Sequence, residues 1–309
     1  MFAVCGEALF DVFAQSETAT GLQLDARIGG SPFNVAVGLR RLGRQAALVT
    51  RISEGFLGER LIRALQQEGV ATHLLQRGKE PTTLSLVGLD ARGVPSYAFY
   101  GEGAADRELD AGVLSVWPDD VHCIHVGSYS TVVGQTALTQ RRLIERERAR
   151  SMISYDPNVR LNVEPDPMVW RDQIEWMIGR THLLKVSQED LELLYPGRAL
   201  EDFAQTALDA GVRLVVVTRG EFGARAWTAR GALDVPPVRV EVIDTVGAGD
   251  TFQAALLTWL EEQGRLRPQA LGELSESDIA QALGFAVRAA AITCSRRGAD
   301  LPHRAELEP

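Results

Sequence analysis

The stretch DTVGAGDTF, residues 244–252, combines two glycines with a carboxylate where an apolar run begins. Gly247 and Gly249 allow backbone conformations that are closed to other residues. The apolar positions that follow lie on one broad helical stripe, which ends at Gly264. The first N–H groups of such a helix lack internal partners and carry the positive end of its dipole, and glycine lets an anion approach them. The stretch therefore predicts an anion-binding loop, formed by Gly247, Ala248 and Gly249, in front of a helix.

Asp250 puts a negative charge at the edge of this loop, where it would repel a bound anion. One interpretation is that Asp250 only caps the helix, as aspartate often does. The other is that the carboxylate takes a proton from an attacking hydroxyl group while the backbone N–H groups stabilise the charge that develops nearby. The second interpretation predicts phosphoryl transfer to a hydroxyl group, with Asp250 as the general base.

Short apolar runs recur along the chain and alternate with helical patterns, which predicts βαβ units and a largely parallel sheet covered on both faces. The predicted strands of this α/β fold are FAVC at 2–5, AALVT at 46–50, CIHV at 123–126, MISY at 152–155, HLLKV at 182–186 and RLVVVT at 213–218. Two further segments, residues 10–30 and 82–106, alternate apolar and polar residues. We expect these two segments to pair into a small separate β-sheet.

The composition sets limits on function. A chain of 309 residues suits one large α/β domain or two smaller ones. Its net charge of −9 argues against nucleic acid or an anionic membrane as a partner, and no apolar run is long enough to span a bilayer. The N-terminus predicts a first strand rather than a signal peptide. The cysteines are three in number and far apart, which predicts reduced thiols and a cytoplasmic protein.

Residues 244–252 resemble the signature DTxGAGD of the ribokinase-like (pfkB) carbohydrate kinases. Further family motifs follow in the family's order: GEALFD at 6–11, GGSPFNVAVGLRRLG at 29–43, FYGEGAADREL at 99–109, DPNVR at 156–160, LKVSQEDLELL at 184–194, VVTRGEFGA at 216–224 and CSRRGADLP at 294–302. Together they resemble the fructokinase branch. The resemblance implies a ribokinase-like three-layer sandwich, with one kinase domain over residues 1–309 and a β-sheet lid from the segments 10–30 and 82–106.

The resemblance also implies a sugar site. Asp250 would be the catalytic base, and Gly247 to Gly249 would form the anion hole. The residues expected to bind the sugar substrate are Asp11, Gly29, Gly30, Asn34, Phe99, Tyr100 and Arg160. For several of these a structural role remains an alternative: Asn34 could cap a helix, Arg160 could lie on the surface, and the two aromatic residues could simply pack.

A nucleotide site is implied in the same way. The residues expected to bind ATP are Lys185, Ser187, Thr218, Arg219, Gly220 and Gly223. Glu189 or Asp190 would hold Mg²⁺ through water, and Asp156 and Asn158 would lie near the path of the phosphate and the metal. Backbone near the C-terminus together with Asp244 would hold a monovalent cation such as K⁺.

Other functions leave weaker signs. The phosphate loop GxxxxGK[ST] is absent, and no HExxH or CxxC spacing predicts a metal site. A 2-keto-3-deoxygluconate kinase would need a cation for the substrate carboxylate, and that branch often places an arginine after the aromatic pair of the lid. Gly101 stands there in this chain, which favours a neutral hexose such as D-fructose. A catalytically silent sugar-binding protein of the same fold is a further alternative.

Two expectations concern the rest of the molecule. The loop RISEGFLGERL at 51–61 departs from the family's usual G-x-x-G-x-D-x-x-G, so the packing of this loop is open. An exposed lid sheet predicts a homodimer, although the edges of the sheet could also be covered within one chain.

Overall fold

The structure is a computed structural model that describes residues 1–89 and 95–308. The strands are β1 (Phe2–Cys5), β2 (Leu9–Thr18), β3 (Gly21–Gly29), β4 (Ala46–Val49), β5 (Arg51–Ser53), β6 (Gln76–Gly78), β7 (Leu84–Leu89), β8 (Pro95–Tyr100), β9 (Cys123–Gly127), β10 (Met152–Asp156), β11 (Leu183–Ser187), β12 (Leu214–Thr218), β13 (Ala224–Thr228) and β14 (Gly231–Val235). The α-helices are α1 (Ser31–Arg41), α2 (Phe56–Gln67), α3 (Gly134–Glu147), α4 (Pro167–Ile178), α5 (Gln188–Leu194), α6 (Leu200–Asp209), α7 (Ala248–Glu262), α8 (Pro268–Gly272) and α9 (Glu276–Cys294).

The large sheet has eight strands in the order β14–β13–β12–β11–β10–β9–β1–β4. The six strands from β12 to β4 are parallel, whereas β13 and β14 add to the edge in antiparallel fashion. The six parallel strands are the six apolar runs that the sequence predicts, so the prediction of a largely parallel sheet is confirmed. In such a sheet the carboxyl ends of the strands share one edge, which is where ligands bind.

Helices cover both faces of this sheet. Alternate residues of a strand point to opposite faces, so Phe2 and Val4 enter one hydrophobic core and Ala3 and Cys5 enter the other. The first core is shared with α1, α2, α7 and α9, and the second with α3, α4, α5 and α6. The result is the predicted three-layer α/β sandwich. None of the described helices is long and apolar enough to span a lipid bilayer.

A separate four-stranded sheet has the order β3–β2–β7–β8. It is formed by the two segments that the sequence predicts to pair, although residues 90–94 of the second segment lie outside the described residues. Arg27, Asp11, Ser85 and Phe99 occupy directly opposite positions on the four strands in turn. They therefore form one row across one face of the small sheet.

The unusual stretch 51–61 begins with β5, which pairs in parallel with β6. The chain then turns into α2, and Gly58 sits so close to the turn that a Cβ there would lie 1.9 Å from the carbonyl oxygen of Ser53. The side chain of Phe56 is 81% exposed. This segment therefore packs as a compact strand-to-helix turn.

Candidate active site

The candidate site lies at the carboxyl edge of the large sheet. Asp156 is the last residue of β10, Ser187 of β11 and Thr218 of β12, and the last two stand opposite each other in register. Parallel pairing thus aligns three of the motifs that the sequence analysis selects, DPNVR, LKVSQED and TRGEFGA. Their loops share one edge because each follows a parallel strand directly.

The predicted anion loop begins α7. Gly247 is the N-cap of this helix in the left-handed conformation, with φ of 78°, which only glycine adopts freely. A Cβ at this position would also lie 2.6 Å from the Cβ of Ala299, so the C-terminal segment packs directly on the loop. The loop therefore presents bare backbone beside Asp250, at the start of a helix whose Ala248 N–H donates to the Thr245 carbonyl oxygen at 3.2 Å.

Asp250 is buried in the first turn of α7, and its carboxylate is held by α1 rather than by its own helix. Ser31 Oγ donates to Oδ1 at 2.6 Å, and Asn34 Nδ2 donates to Oδ2 at 2.8 Å. Because the N-cap is Gly247 and not Asp250, the capping interpretation of Asp250 does not describe this structure. Burial raises the pKa of Asp250, while the two hydrogen bonds and the charge of Lys185 act in the opposite direction.

Lys185 brings a positive charge to the anion loop. Its Nζ lies 3.2 Å from the position that a Cβ of Gly249 would occupy, and it pairs with Asp156 Oδ2 at 2.6 Å. Both side chains are buried. The other oxygen of Asp156, Oδ1, is buried without a hydrogen-bond partner among the described residues. The ammonium group is therefore fixed beside the helix N-terminus, where a phosphate would bring negative charge.

The small sheet adds a second carboxylate. The backbone of Gly29 packs directly against the Asp11 carboxylate, because a Cβ at Gly29 would lie 2.3 Å from Asp11 Oδ2. Gly30 has φ of 107°, and a Cβ there would lie 2.8 Å from the carbonyl oxygen of Glu7. Burial raises the pKa of Asp11, Ser85 and Arg160 lower it, and the charge of Asp250 raises it further. Asp11 and Asp250 therefore lie within electrostatic reach of each other.

The two aromatic residues of the lid lie on opposite faces of the small sheet. Phe99 is on the face of Asp11 and packs edge-to-face on Tyr129, with ring centroids 5.3 Å apart. Tyr100 is on the other face and is 62% exposed, so the structure does not bring it together with Asp11. The guanidinium of Arg160 donates to the carbonyl oxygen of Val159, at 2.8 Å.

The nucleotide loop follows β12. Arg219 pairs with Asp234 Oδ1 at 2.6 Å, so its charge is partly compensated by the neighbouring strand. Gly223 has φ of 82°, and a Cβ there would lie 2.2 Å from the carbonyl oxygen of Val235. Gly220 also has positive φ but meets nothing within 4 Å. Gly223 is therefore required by the turn into β13, while Gly220 leaves the loop open.

Asp190 and Glu189 differ in position. Ser187 is the N-cap of α5, and its Oγ accepts from the Asp190 N–H at 3.0 Å. The Asp190 carboxylate is buried and accepts from the Val159 N–H at 3.2 Å, whereas Glu189 is exposed.

Among the described residues there is no cluster of three His, Cys, Asp or Glu side chains that could hold a metal. Magnesium needs only one or two carboxylates beside nucleotide phosphates, and Asp190 with the unpartnered Oδ1 of Asp156 fits that donor set.

Asp244 ties the anion loop to the C-terminal segment. Its Oδ1 accepts from the Val246 N–H at 3.1 Å and its Oδ2 from the Gly298 N–H at 2.8 Å. Its own N–H donates to the carbonyl oxygen of Cys294 at 3.2 Å. Asp244 thus stands among the backbone groups that the sequence analysis associates with a monovalent cation.

Four residues of the site escape the sequence analysis: Glu7, Ser31, Ser85 and Arg107. Ser31 lies inside the motif GGSPFNVAVGLRRLG and Glu7 inside GEALFD, but neither residue has a chemical signature of its own. Ser85 could have been found from its alternation with apolar neighbours on a lid strand. Arg107 lies inside the motif FYGEGAADREL, but nothing there marks it, because its contacts with Phe99 and Tyr129 depend on how the chain folds.

Three comparisons place the chain among known proteins. A family model described as pfkB family carbohydrate kinase matches residues 1–305. The fructokinase of Rhizobium leguminosarum bv. trifolii is 34% identical over 276 residues, which cover 89% of this chain and 84% of the relative.

Two solved structures are similar over nearly the whole chain. A fructokinase from Xylella fastidiosa with bound ATP has a TM-score of 0.89 and 26% identity, covering 99% of this chain and 96% of the other. A fructokinase double mutant from Vibrio cholerae O395, in a form with bound fructose, ADP and potassium ion, has a TM-score of 0.83 and 25% identity, covering 99% and 96%.

Proposed function

The chain belongs to the pfkB family of carbohydrate kinases, and we propose that it is a fructokinase, which transfers the γ-phosphoryl group of ATP to a primary hydroxyl group of D-fructose. The observation that carries this proposal is the placement of Asp250. Its buried carboxylate directly follows an anion loop and lies within electrostatic reach of the buried ammonium group of Lys185 and of a second carboxylate, Asp11. This arrangement suits the removal of a proton from a sugar hydroxyl next to a bound phosphate.

In the proposed reaction, Asp250 takes the proton of the hydroxyl group as its oxygen attacks the γ-phosphorus. The new P–O bond forms as the bond to the β-phosphate oxygen breaks, and ADP leaves. The charge on the transferred group would be stabilised by the Gly249 N–H and by Lys185, since the Ala248 N–H already donates to the Thr245 carbonyl oxygen at 3.2 Å. Asp11, with Gly29, Gly30 and Asn34, would hold the sugar hydroxyls.

The nucleotide would lie along the loops after β11 and β12, with its phosphates toward Lys185. Thr218, Gly220 and Gly223 supply the loop that would follow the ribose and phosphates. Two apolar residues beside the anion loop, Val242 and Ile243, are 61% and 62% exposed. Their side chains offer a surface on which the adenine ring of ATP could pack. Mg²⁺ bound to the phosphates would neutralise their charge, and Asp190 and Asp156 are the residues that would hold it through water.

A monovalent cation is part of the proposal. Asp244 and the carbonyl oxygen of Cys294 provide oxygen ligands beside the anion loop, and the similar Vibrio cholerae fructokinase carries a potassium ion. We expect activity to rise when KCl replaces an equal concentration of a tetraalkylammonium chloride. Equal activity in the two salts would count against the cation.

We also propose that the protein works in the cytoplasm as a homodimer that joins through the small sheet. Cys5 and Cys123 are buried free thiols, which suits a reducing compartment. Leu22 and Leu24 on the edge strand β3 are 53% and 51% exposed, and a partner could cover them. Light scattering of the wild type and of Leu24→Lys would test this, because the substitution should convert a dimer into monomers.

A 2-keto-3-deoxygluconate kinase is the alternative that one observation favours. The sequence analysis favours a neutral sugar because Gly101 replaces an arginine. In the structure, however, the guanidinium of Arg107 reaches the place beside Gly101. A cation therefore stands beside Gly101, although it comes from another position in the chain.

The test is ADP release by the purified protein with ATP and Mg²⁺ across fructose, ribose, glucose, 2-keto-3-deoxygluconate and nucleosides. Turnover that is fastest on fructose would support the proposal. Preference for the sugar acid would keep the chemistry and replace the substrate. Binding of ATP without turnover on any sugar would instead favour a catalytically silent protein.

A further inference from the structure

Gly101 and Arg107 share one space in the lid. A Cβ added at Gly101 would lie 2.8 Å from Arg107 Nη2 and 2.5 Å from Phe99 Cε1. The arginine thus fills the space that a side chain at position 101 would need. Gly101 is buried, so the contact belongs to the interior of the lid and not to its surface.

Aromatic rings fix the guanidinium in this place. Its central carbon lies 5.3 Å from the centroid of the Phe99 ring and 5.6 Å from that of Tyr129. Such stacking holds a planar cation and leaves its edge free to donate hydrogen bonds. Nε is buried and donates to none of the described residues. Burial raises the pKa of the neighbouring Asp106 carboxyl, while hydrogen bonds from Thr83 and Tyr129 and the charge of Arg107 lower it.

The row across the small sheet places this cation relative to the reaction. The row begins with Arg27, whose guanidinium would lie 3.4 Å from a Cβ at Gly298, next to the anion loop. It continues through Asp11 and Ser85 and ends at Phe99, three strands and about 14 Å away. Arg107 stacks on this last residue. It therefore stands at the end of the row that is remote from the phosphoryl group.

We propose that Arg107 is a specificity-determining residue of the sugar pocket, which donates hydrogen bonds to substrate oxygen atoms at the end remote from the reacting hydroxyl group. The proposal rests on the proposed sugar kinase function but not on the identity of the sugar. A guanidinium is a donor only, so it can serve the hydroxyl, carbonyl or carboxylate oxygens of a sugar substrate. Gly101 is required because any larger residue would displace Arg107.

The experiment compares Arg107→Met with the wild type. The apolar side chain keeps length and packing but removes the donors. We expect the KM for fructose to rise roughly 10- to 100-fold, as for a lost hydrogen bond to a charged group, with the KM for ATP unchanged. Arg180→Met is the matched control, because the guanidinium of Arg180 stacks on the ring of Trp176 in α4, 4.3 Å from the ring centroid. This control should leave both KM values as they are.

A double-mutant cycle tests the shared space. Gly101→Ala alone should raise the sugar KM by pushing Arg107 aside, and it should raise it less in the Arg107→Met background, where only the contact with Phe99 remains. If the wild type prefers another sugar of the panel, the proposed substrate fails, and the same cycle is measured with that sugar. Should no sugar turn over, fructose binding measured by calorimetry on the same variants replaces KM.

Unchanged sugar affinity in Arg107→Met would overturn the proposal. So would additive effects in the cycle, or parallel rises of the sugar and ATP KM values together with a lower melting temperature. A larger loss for 2-keto-3-deoxygluconate than for fructose would support Arg107 as the determinant while assigning its donors to a carboxylate.

Discussion

Ser31 Oγ donates to Asp250 Oδ1 at 2.6 Å across 219 residues of sequence, inside the interface between α1 and α7. With Asn34 on the other oxygen, both sides of the carboxylate are held by one helix while the base itself belongs to another. The charged form of Asp250 accepts these hydrogen bonds, so they favour ionisation against the effect of burial. The packing of α1 on α7 therefore sets both the direction and the proton affinity of the proposed base.

Asp250→Asn should abolish most turnover without unfolding the protein. The amide keeps the shape of the side chain but cannot accept a proton, so kcat should fall roughly 10²- to 10⁴-fold. ATP affinity and the melting temperature should stay near those of the wild type. Steady-state kinetics and calorimetry would check this, and normal turnover in the variant would refute the role of Asp250.

Ser31→Ala should shift the pH dependence of kcat. Activity requires ionised Asp250 and is lost as the pH falls through its pKa. Without the donor of Ser31 the carboxylate is less stabilised, so the acid limb should move upward by about one pH unit. Ser115→Ala is the control, because Ser115 is exposed and bonds only to the Gly112 carbonyl oxygen. An unmoved acid limb in Ser31→Ala would mean that the contact has no influence on the base.

Lys185→Met should destabilise the protein more than the matching double variant. Removal of the ammonium leaves the Asp156 carboxylate buried without its partner, which typically costs 3–5 kcal/mol. Lys185→Met with Asp156→Asn leaves neither charge of the pair to be buried, so part of the loss should be recovered. Urea unfolding of the three proteins measures this. Both variants should also raise the KM for ATP, because the cation beside the anion loop is gone.

Gly247→Ala should lose activity as well as stability. The new Cβ would meet Ala299 at 2.6 Å, and the left-handed backbone adds strain of about 1–2 kcal/mol. Gly264→Ala is the matched control at the other end of the same helix, with φ of 65° and nothing within 4 Å. The control should show only the backbone strain in thermal unfolding and should keep its kcat. Equal losses in the two variants would show that the contact with Ala299 is unimportant.

The sequence predicts the sheet well and the site only in part. Apolar strands and the glycines around residue 247 have local signatures, because burial and positive φ act on single positions. Contacts such as Ser31 with Asp250 have none, since they depend on how two distant helices pack. The same holds for Gly101. The sequence shows only that no arginine stands at this position, whereas the structure shows that the side chain of Arg107 fills the adjacent space. Local patterns indicate which residue types are present, and only packing shows which of them meet.

Glu7→Gln should change how stability depends on pH. Glu7 is buried, its Oε1 accepts from the Ser31 N–H at 3.3 Å, and burial raises its pKa to about 7. A carboxyl whose pKa is higher in the folded state stabilises the fold at low pH, and this contribution is lost as the pH rises from about 4.5 through 7.

The amide of Glu7→Gln keeps an acceptor for Ser31 and does not titrate. We therefore expect the stability of the variant relative to the wild type to rise by about 3 kcal/mol between pH 4 and pH 8.5. Urea unfolding of both proteins across this range measures the difference, in which the titration of the other buried carboxyls cancels. A difference that stays constant with pH would mean that Glu7 ionises in the folded protein as readily as in the unfolded chain. Its hydrogen bond to Ser31 would then hold the start of α1, and with it Asp250, in the same way at every pH.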